Sequence, residues 1–534
     1  MKTIKNPILK GFNPDPSIIR VGEDYYIATS TFEWFPGVQI HHSKDLINWE
    51  LIARPLSRVS QLDMLGIPDS GGVWAPCLSY DNGIFYLIYS IEKNTKGLYQ
   101  DVHNYLVTAS DIRGEWSEPV YLNSDGFDPS LFHDDDGRKW LVNMTWDPRR
   151  GKPWFGGIRL TELDAENQKL KGIGKVIFTG TELGVTEGPH IIKRNGMYYL
   201  ITAEGGTSLG HCVTIARSEN IDGPYEVDPE NPVLTSKEDI TLPLQKAGHC
   251  DIVETQNGDW YMVHLSGRPI PVKGKCILGR ETSIQKVYWT DNGWLRLANG
   301  TNKPDLIVEA PELEECIFPK APERDDFDSE KLDINFQTLR RPLSEDDISL
   351  TERVGWLRIK GREWLSSQYH QSLVARRQQA FCCSVETYME FNPKCFKHMA
   401  GLVCYYDTNN FYYLYVTLDD EGNKVLDIIS YINNFNRYPL KEAIKIPNNK
   451  GVGLKAEIEY DKLVFSYAVD GKWHKTGCVL DQSLLSDEAC CVSSIGCFTG
   501  AFIGLCCQDV IGTGVYADFD YFEYKEKPDK QTTV

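Results

Sequence analysis

Residues 15–18 read Asp15-Pro16-Ser17-Ile18, and this short pattern returns four more times along the chain, at intervals of 60, 53, 59 and 62 residues. The later copies are Ala75-Pro76-Cys77-Leu78, Asp128-Pro129-Ser130-Leu131, Glu187-Gly188-Pro189-His190-Ile191 and His249-Cys250-Asp251-Ile252. Each copy continues into a turn rich in Asn, Asp and Gly and then into an aromatic-rich run. Two apolar runs joined by such a turn are typical of a β-hairpin. The pattern therefore predicts five copies of one β-rich unit.

The length of the repeat indicates the fold class. Several copies add a third apolar run and then a Trp or Tyr after a turn, which gives about four strands in each repeat. Five four-stranded units arranged radially around a channel form a five-bladed β-propeller. Equivalent positions of successive blades then lie on one ring around that channel.

Three carboxylates occupy the same phase of this repeat. Asp15, Asp128 and Glu187 begin three of the five copies, each beside a Pro or a Gly-Pro that fixes the backbone. We therefore expect their side chains to converge at the central channel. The Glu187 copy holds one extra residue before its Ile, which predicts a bulge there. Ala75 and His249 take this phase in the other two copies, so the ring is not uniformly acidic.

Three carboxylates at one site suit the hydrolysis of a glycosidic bond. This reaction needs one carboxylic acid to protonate the leaving oxygen and one carboxylate to activate water or to attack the anomeric carbon. The third has a physical use, because a like charge near the acid raises the pKa of that acid and keeps it protonated near neutral pH. Aromatic side chains at the expected mouth of the channel can stack on sugar rings. These are Phe32, Trp34, Phe35, Trp74, Trp146 and Trp154.

Composition and charge exclude other classes of partner. A chain of 534 residues is too long for one hydrophobic core, and its 41% hydrophobic content is ample for folding. The formal net charge of −19 argues against nucleic acid and anionic membranes. The uncharged run 489–508 approaches the length of a membrane span, but Gly, Ser and Thr interrupt it, so we interpret it as two buried strands around Thr499-Gly500. We expect a small neutral oligosaccharide as the partner, and a homo-oligomer is left open.

Cysteine usage and the N-terminus indicate the compartment. The fifteen cysteines show no spacing of a metal knuckle. The adjacent pairs Cys382-Cys383, Cys490-Cys491 and Cys506-Cys507 fall on probable strands, where neighbouring side chains point to opposite faces. They suit small buried hydrophobic residues better than a disulfide framework. The first residues also lack the apolar run of a secretory signal, so we predict a cytoplasmic protein.

The propeller pattern ends near residue 300. Four prolines among acidic residues follow, and we interpret residues 304–324 as a linker without regular structure. Beyond it the hydrophobic pattern alternates with period two again, as in Phe411-Tyr412-Tyr413-Leu414, which is typical of a β-sandwich. We therefore predict an all-β chain with a propeller catalytic domain over residues 1–303 and a C-terminal β-sandwich over residues 325–534.

Several longer motifs carry a specific resemblance. They are Gly11-Phe12-Asn13-Pro14-Asp15-Pro16-Ser17, Thr29-Ser30-Thr31-Phe32-Glu33-Trp34-Phe35, Gly126-Phe127-Asp128-Pro129-Ser130, Thr186-Glu187-Gly188-Pro189-His190 and Leu278-Gly279-Arg280-Glu281-Thr282. In this order they resemble glycoside hydrolase family 43. Within that family the chain is most similar to the two-domain β-xylosidases, over essentially its whole length. The resemblance implies an inverting, exo-acting enzyme that releases D-xylose from the non-reducing ends of β-1,4-xylooligosaccharides.

The resemblance also implies roles for residues. Asp15 matches the general base of the family, Glu187 the general acid, and Asp128 the residue that tunes the pKa of the acid and positions it. Inversion places the base and acid carboxyls about 6.5–9.5 Å apart, with room for a water. Arg280 matches a substrate-binding arginine, and His249 matches a channel histidine that some relatives hold beside a calcium. We predict no cofactor and no metal, and a calcium near His249 is left open.

Four aromatic residues complete the predicted binding site. Phe32, Trp74 and Trp146 come from the propeller, and Trp74 is the best placed because it precedes the start of the second copy. Phe498 matches an aromatic that the sandwich contributes to the rim of the pocket in the family.

Two other functions stay open at this point. An α-L-arabinofuranosidase would use the same catalytic geometry with a differently shaped pocket. A sugar-binding propeller without catalysis would use the carboxylates for recognition only.

Overall fold

The computed structural model describes residues 2–94, 100–271, 273–490 and 497–528. The chain divides into two compact units. The first comprises Met1–Glu33, Gly37–Arg268 and Arg280–Phe318, and the second comprises Trp34–Pro36, Pro269–Gly279 and Pro319–Val534. Within the described residues, strands make up nearly all of the regular structure in both units.

Within the described residues, five antiparallel sheets of four or five strands form the blades of a propeller in the first unit, numbered 1 to 5 in chain order. The strands of blade 1 are Ser17–Val21, Asp24–Thr29, Gln39–Ser43 and Glu50–Ala53. Those of blade 2 are Gly72–Asp81, Ile84–Glu92, Val102–Ala109 and Val120–Asn123. Those of blade 3 are Ser130–His133, Lys139–Trp146, Phe155–Asp164, Lys169–Leu170 and Lys175–Phe178. Those of blade 4 are Glu187–Arg194, Met197–Glu204, Cys212–Ser218, Glu226–Val227 and Leu234–Thr235. Those of blade 5 are Gln245–Glu254, Trp260–Gly267, Glu281–Trp289 and Leu295–Leu297.

Each blade begins with the hairpin that the sequence predicts. In blades 2 and 4 the two central turn residues, Asn82-Gly83 and Asn195-Gly196, all have positive φ. This is the conformation of a type I′ turn, which matches the twist of the flanking strands and fixes their register. The apolar side chains that result lie between neighbouring blades: Ile18 of blade 1 packs with Val253 of blade 5 in one cluster. The predicted five-bladed propeller is confirmed.

The residues assigned to the linker contain one complete strand. Ile307–Glu309 pairs antiparallel with Thr3–Lys5. Prolines 304 and 311 flank this strand without interrupting it, so its N–H groups remain available for pairing. Val308 is buried in the cluster that also holds Ile4. The expectation of no regular structure over 304–324 is therefore wrong for these three residues and for Arg324, which begins the strand Arg324–Asp325. The predicted domain boundaries stay a prediction.

The second unit is a β-sandwich of two antiparallel sheets. The strands of one sheet are Arg324–Asp325, Ile348–Ser349, Leu357–Lys360, Cys382–Phe391, Val452–Glu459, Lys462–Val469, Lys472–Lys475, Leu480–Asp481, Tyr516–Phe519 and Phe522–Glu526. The strands of the other are Trp34–Phe35, Phe336–Leu339, Ser372–Arg377, His398–Asp407, Asn410–Leu418, Lys424–Ile432, Phe435–Arg437, Ile444–Lys445 and Phe502–Asp509. Val385 and Leu454 of the first sheet share one buried cluster with Leu402 and Leu505 of the second. The prediction of a C-terminal sandwich is confirmed.

The described residues of the uncharged run 489–508 contain the end of a short helix and one strand. A 3-10 turn, Gln482–Leu484, precedes a short helix, Asp487–Cys490, and the hydroxyl of Ser486 accepts a hydrogen bond from the amide of Ala489 at 3.3 Å. Such a serine cap satisfies an amide that has no partner within the helix, which favours a helical start over a strand. Residues 491–496 lie outside the described part, and Phe502–Asp509 is the second predicted strand.

The same segments bear on membranes and on cysteines. Across residues 2–94, 100–271, 273–490 and 497–528, no helix combines the length and the hydropathy needed to cross a bilayer. Cys383, Cys506 and Cys507 lie on strands as predicted and are buried free thiols, whereas Cys490 ends the helix. Cys491 lies outside the described residues.

Candidate active site

The five blades share a backbone feature at the start of the repeated pattern. The residue before each Pro, or before Cys250 in blade 5, has positive φ: 54° at Asp15, 22° at Ala75, 53° at Asp128, 55° at Gly188 and 48° at His249. Side chains other than Gly adopt this conformation rarely and with strain of about 1 kcal/mol or more, which often marks functional sites. In blade 4 the equivalent residue is Gly188.

Glu187 therefore stands one residue earlier than the sequence phase predicted. The pairing of Glu187–Arg194 with Met197–Glu204 shifts register between Glu187 and His190, which confirms the predicted bulge. An extra residue on one strand re-aims the side chains around it. A β-carbon on Gly188 would lie 3.1–3.2 Å from the ring of His249, so both the conformation and the space favour glycine here.

The structure brings the three predicted carboxylates together. The amide of Gly188, the residue after Glu187, donates a hydrogen bond to Asp128 Oδ2 at 2.9 Å. His249 Nδ1 lies 3.9 Å from Asp15 Oδ1 and 4.0 Å from Asp128 Oδ2. Asp15, Asp128 and Glu187 are each at most 7% exposed. Side chains up to 172 residues apart in the chain thus meet at one buried place, as the repeat predicts.

Two donors orient the carboxylate of Asp15. The hydroxyl of Ser30 donates to Asp15 Oδ2 at 2.6 Å, and Arg280 Nη1 lies 3.4 Å from Asp15 Oδ1. The carbonyl of Arg280 accepts a hydrogen bond from the amide of Asn13 at 2.9 Å, so the backbone near both side chains is tied together. The guanidinium of Arg280 also lies 5.4 Å from the ring centre of Phe32. Arg280 and Phe32 therefore belong to the same site as Asp15.

Glu187 has the protonation behaviour of a general acid. Burial is the main cause that raises the pKa of Glu187 to about 7, and the negative charge of Asp15 adds to it. A hydrogen bond from the hydroxyl of Thr207, 3.3 Å from Glu187 Oε1, and the charge of Arg280 act in the opposite direction. Below about pH 7 this carboxyl therefore carries a proton that it can give to a leaving oxygen.

The pKa of Asp128 is also shifted, although the sequence analysis expected this residue to act as a charged neighbour of the acid. Burial first, and then the charges of Glu187 and Asp15, raise the pKa of Asp128 well above its ordinary value. Among neighbouring carboxyl groups, the charge of Asp15 acts to raise the pKa of Glu187. The contact of Asp128 with the amide of Gly188 instead favours a positioning role.

His249 is neutral at physiological pH. Burial lowers the pKa of His249 to about 4, although the charge of Asp15 acts to raise it. Within the described residues, no group of three or more His, Cys, Asp or Glu side chains is arranged to hold a metal ion. Calcium prefers six to eight oxygen ligands, and one imidazole with two carboxyl groups does not fit it. The absence of a cofactor stays a prediction.

The propeller aromatics form a continuous series of ring contacts that leads away from Arg280. Ring centres are 6.1 Å apart for Phe32 and Trp74, 5.3 Å for Trp74 and Phe127, 5.1 Å for Phe127 and Trp146, and 5.0 Å for Trp146 and Trp154. Trp154 is 38% exposed at the end of the series. The predicted binding residues Phe32, Trp74 and Trp146 are therefore connected to the carboxylate site through ring contacts, and the series ends at the partly exposed Trp154.

Three other aromatic predictions have a different outcome. Trp34 is fully buried in the second unit, where its ring stacks on Phe502 with the centres 3.6 Å apart. Phe35 is 2% exposed and its strand pairs with Thr338. Neither is available to stack on a sugar, because each fills a core position of the sandwich. Phe498 is partly buried in the second unit, directly after the undescribed residues 491–496, and its role stays a prediction.

The sequence analysis missed Thr207 and Ser30. Thr207 lies in the loop between strands Met197–Glu204 and Cys212–Ser218, at no repeated phase. The pair Gly205-Gly206 before it, with both residues at positive φ, was the available signal for a tightly shaped loop. Ser30 directly follows the strand Asp24–Thr29, where it resembles an ordinary loop serine.

Comparison with known proteins identifies the family. The model of the glycosyl hydrolases family 43 matches residues 4–295, and the model of the β-xylosidase C-terminal concanavalin A-like domain matches residues 324–525. The chain is 52% identical to a protein of Bacillus subtilis (strain 168) named β-xylosidase, over 98% of this chain and 100% of that protein. It is also 52% identical to a protein of Humicola insolens named xylosidase/arabinosidase 43B, over 98% of both chains.

A solved structure is equally similar. The xylan β-1,4-xylosidase from Bacillus halodurans C-125 superposes with a TM-score of 0.96 at 54% sequence identity, covering 98% of this chain and all 100% of that one. A family model that matches more than half of the chain and relatives of this identity over the full length leave no room for the non-catalytic alternative. The chain is a glycosidase and belongs to family 43 of the glycosyl hydrolases.

Proposed function

We propose that this enzyme is an exo-acting β-xylosidase, which releases D-xylose from the non-reducing ends of β-1,4-xylooligosaccharides with inversion at the anomeric carbon. The observation that carries the proposal is the buried meeting of Asp15, Asp128 and Glu187 in a family 43 chain. Support for the substrate comes from the names of the relatives that are 52% and 54% identical over 98% of this chain.

In the proposed reaction, Glu187 protonates the leaving oxygen while Asp15 removes a proton from the attacking water. A pKa of about 7 lets Glu187 hold this proton at neutral pH and lose it in the reaction. The hydroxyl of Ser30 and the guanidinium of Arg280 fix the two oxygens of Asp15, so that the base faces one direction. The positive charge of Arg280 also stabilises the carboxylate of Asp15, and its N–H groups can donate hydrogen bonds to sugar hydroxyls.

Asp128 and His249 complete the proposed site. Asp128 holds the amide of Gly188 and so fixes the backbone next to the acid. Neutral His249 stands between Asp15 and Asp128 without adding a charge of its own. The rings of Trp74 and Trp146 supply apolar surface for the faces of the sugar, since aromatic rings pack well against C–H groups. Phe32 is only 2% exposed and supports them by packing against Trp74 and the guanidinium of Arg280.

An α-L-arabinofuranosidase activity on the same scaffold is the second candidate. Two relatives favour it: the Humicola insolens protein named xylosidase/arabinosidase, and a Bacteroides ovatus protein that is 34% identical over 98% of this chain and is named a non-reducing end α-L-arabinofuranosidase. The same acid and base suit both substrates, because the two differ in the shape of the sugar and not in the bond that is cleaved.

The proposal is tested by the first sugar that the enzyme releases. Proton NMR during hydrolysis of 4-nitrophenyl β-D-xylopyranoside, which releases a single sugar, should show α-D-xylose first, because inversion of a β-bond gives the α-anomer. Release of β-D-xylose would refute inversion, and release of internal fragments from longer oligosaccharides would refute exo-attack. The kcat/KM values on 4-nitrophenyl β-D-xylopyranoside and on 4-nitrophenyl α-L-arabinofuranoside decide between the two candidates. D15N and E187Q should lose activity on both substrates, whereas H103Q on blade 2 should not.

We also infer a cytoplasmic location, which the buried free thiols Cys383, Cys404, Cys506 and Cys507 support. Thiols of this kind persist in a reducing compartment.

A further inference from the structure

The five positions with positive φ at the starts of the blades form a first ring in the propeller: Asp15, Ala75, Asp128, Gly188 and His249. A second ring of side chains lies two residues after these positions. Side chains two residues apart on a strand point to the same face, so this ring follows the first one along the channel. Its members are Ser17, Cys77, Ser130, His190 and Asp251. Several contacts of this ring cross from one blade to the next: the hydroxyl of Ser130 in blade 3 donates to the carbonyl of Pro189 in blade 4 at 2.6 Å.

Asp251 ties blade 5 to the strand that follows Asp15. Asp251 Oδ2 accepts hydrogen bonds from the hydroxyl of Ser17 at 3.1 Å and from the amide of Ile18 at 3.0 Å. The same serine hydroxyl accepts a bond from the amide of Leu78 in blade 2 at 3.2 Å. One carboxylate therefore sets the position of the first strand of blade 1, two residues from Asp15 itself.

His190 of blade 4 is the charged partner of Asp251. Its Nδ1 lies 3.6 Å from Asp251 Oδ2, with side chains only 12% and 9% exposed. Burial acts to lower the pKa of His190, but the Asp251 carboxylate and a hydrogen bond with Cys77 outweigh it and raise that pKa to about 9. The charge of His190 in turn lowers the pKa of His249 in the first ring. The ionisable groups that face His190 are therefore Asp251 and His249 of blade 5 and Cys77 of blade 2.

We propose that His190 and Asp251 are positioning residues for the carboxyl groups of the active site. As a buried ion pair they hold in place the strand Ser17–Val21, which follows Asp15, and keep their own net charge at zero. This inference deepens the proposed glycosidase mechanism and rests on the assignment of Glu187 as the acid. A buried Asp251 without its partner would add a negative charge near three carboxyl groups. A like charge nearby disfavours ionisation and raises the pKa of an acid.

The test compares H190Q, D251N and the double variant H190Q/D251N by the pH dependence of kcat/KM. On the alkaline side of the profile, kcat/KM falls as Glu187 loses its proton, and we call this part the basic limb. H190Q leaves the charge of Asp251 unpaired, so the basic limb should shift to higher pH by about half a unit or more. D251N removes that charge and lets His190 lose its proton, so the limb should stay in place. The double variant should return the limb to its wild-type position. In H190Q, kcat should also fall by at least about tenfold with a small change in KM, because small displacements of reacting groups cost up to about a hundredfold.

Several results would overturn the proposal. They are an unchanged profile in H190Q, the same limb shift in H190Q and D251N, or a double variant that keeps the shift of H190Q. H103Q is the matched control, because His103 contacts Tyr105 within Val102–Ala109, the third strand of blade 2, and its profile should match the wild type.

A second measurement does not depend on folding of H190Q or on catalysis. NMR titration of the wild-type enzyme with labelled histidine should show a His190 imidazole that keeps its proton at pH 7.5 and loses it in D251N. A neutral His190 at pH 7.5 would refute the ion pair, whatever the substrate proves to be. A protonated ring in an enzyme that hydrolyses neither glycoside would refute the proposed function and leave the ion pair standing.

Discussion

Replacing Thr207 by valine should raise the pH at which Glu187, the proposed general acid, loses its proton. The hydroxyl of Thr207 donates a hydrogen bond to Glu187 Oε1 at 3.3 Å, and this bond lowers the pKa of Glu187. A hydroxyl that donates to a carboxylate stabilises the ionised form. Valine has nearly the same shape and no donor, so T207V should leave burial unchanged and remove this one opposing effect. The pKa of Glu187 should then rise above about 7.

The length of the bond sets the size of the shift. A hydrogen bond to a charged group contributes about 1.5–3 kcal/mol at ordinary length, and O–H···O bonds usually measure about 2.5–3.0 Å. A separation of 3.3 Å is longer, so we expect about 1 kcal/mol or less. One pKa unit corresponds to about 1.4 kcal/mol, which gives a rise of about half a unit. The acid is protonated below its pKa, so activity should persist to higher pH in T207V.

The assay is kcat/KM against pH, since this ratio reports the ionisation of the free enzyme. With 4-nitrophenyl β-D-xylopyranoside, the basic limb of T207V should lie about half a unit above that of the wild type. T207S keeps the hydroxyl and serves as the matched control, with an unmoved limb. A limb that moves down in T207V, or that moves equally in T207S, would refute the assignment of Glu187 as the group that sets this limb.

Two further predictions concern Asp128 and metals. D128N should keep more activity than D128A, because an amide oxygen can still accept from the amide of Gly188 at the observed 2.9 Å, whereas D128A should lose about a hundredfold in kcat through displacement of the acid. The basic limb of D128N should stay near pH 7; a fall of a full unit would show instead that the charge of Asp128 tunes the acid. Dialysis against EDTA should leave kcat unchanged, and a loss of activity that calcium restores would contradict the prediction that no metal is required.

The fold could be predicted because one pattern recurs with turn and strand signals in the same order. Turn pairs such as Asn82-Gly83 demand a backbone conformation that few other residues adopt readily, so they fix the hairpins locally. The strand Ile307–Glu309 was not predicted, because it depends on a distant partner and not on a local signal. Its partner strand is Thr3–Lys5, at the other end of the unit, and no local signal announces a pairing across so many residues.

The site could be predicted only as far as the repeat defines it. Asp15 and Asp128 share a phase and a left-handed backbone, so their meeting follows from the repeat itself. Glu187 was placed one residue off, because a bulge changes the register without a signal beyond one extra residue. Thr207 stands at no repeated position and contacts the acid only in three dimensions. Trp34 resembled a binding aromatic because core and binding aromatics on strands have the same pattern.

The unequal side chains of the first ring follow from electrostatics. Five equivalent positions begin the five blades, and carboxylates at all five would strongly disfavour ionisation of one another. The chain places carboxylates at only two of them, Asp15 and Asp128, and brings Glu187 from a bulge beside the third. Alanine, glycine and a neutral histidine occupy the remaining three positions. Even so, burial and mutual repulsion raise the pKa of both Asp128 and Glu187, and Arg280 faces the one carboxylate left to act as base. The repeated blades thus bring the catalytic side chains together, and the different residues at equivalent positions limit charge repulsion, so that one acid and one base can function side by side.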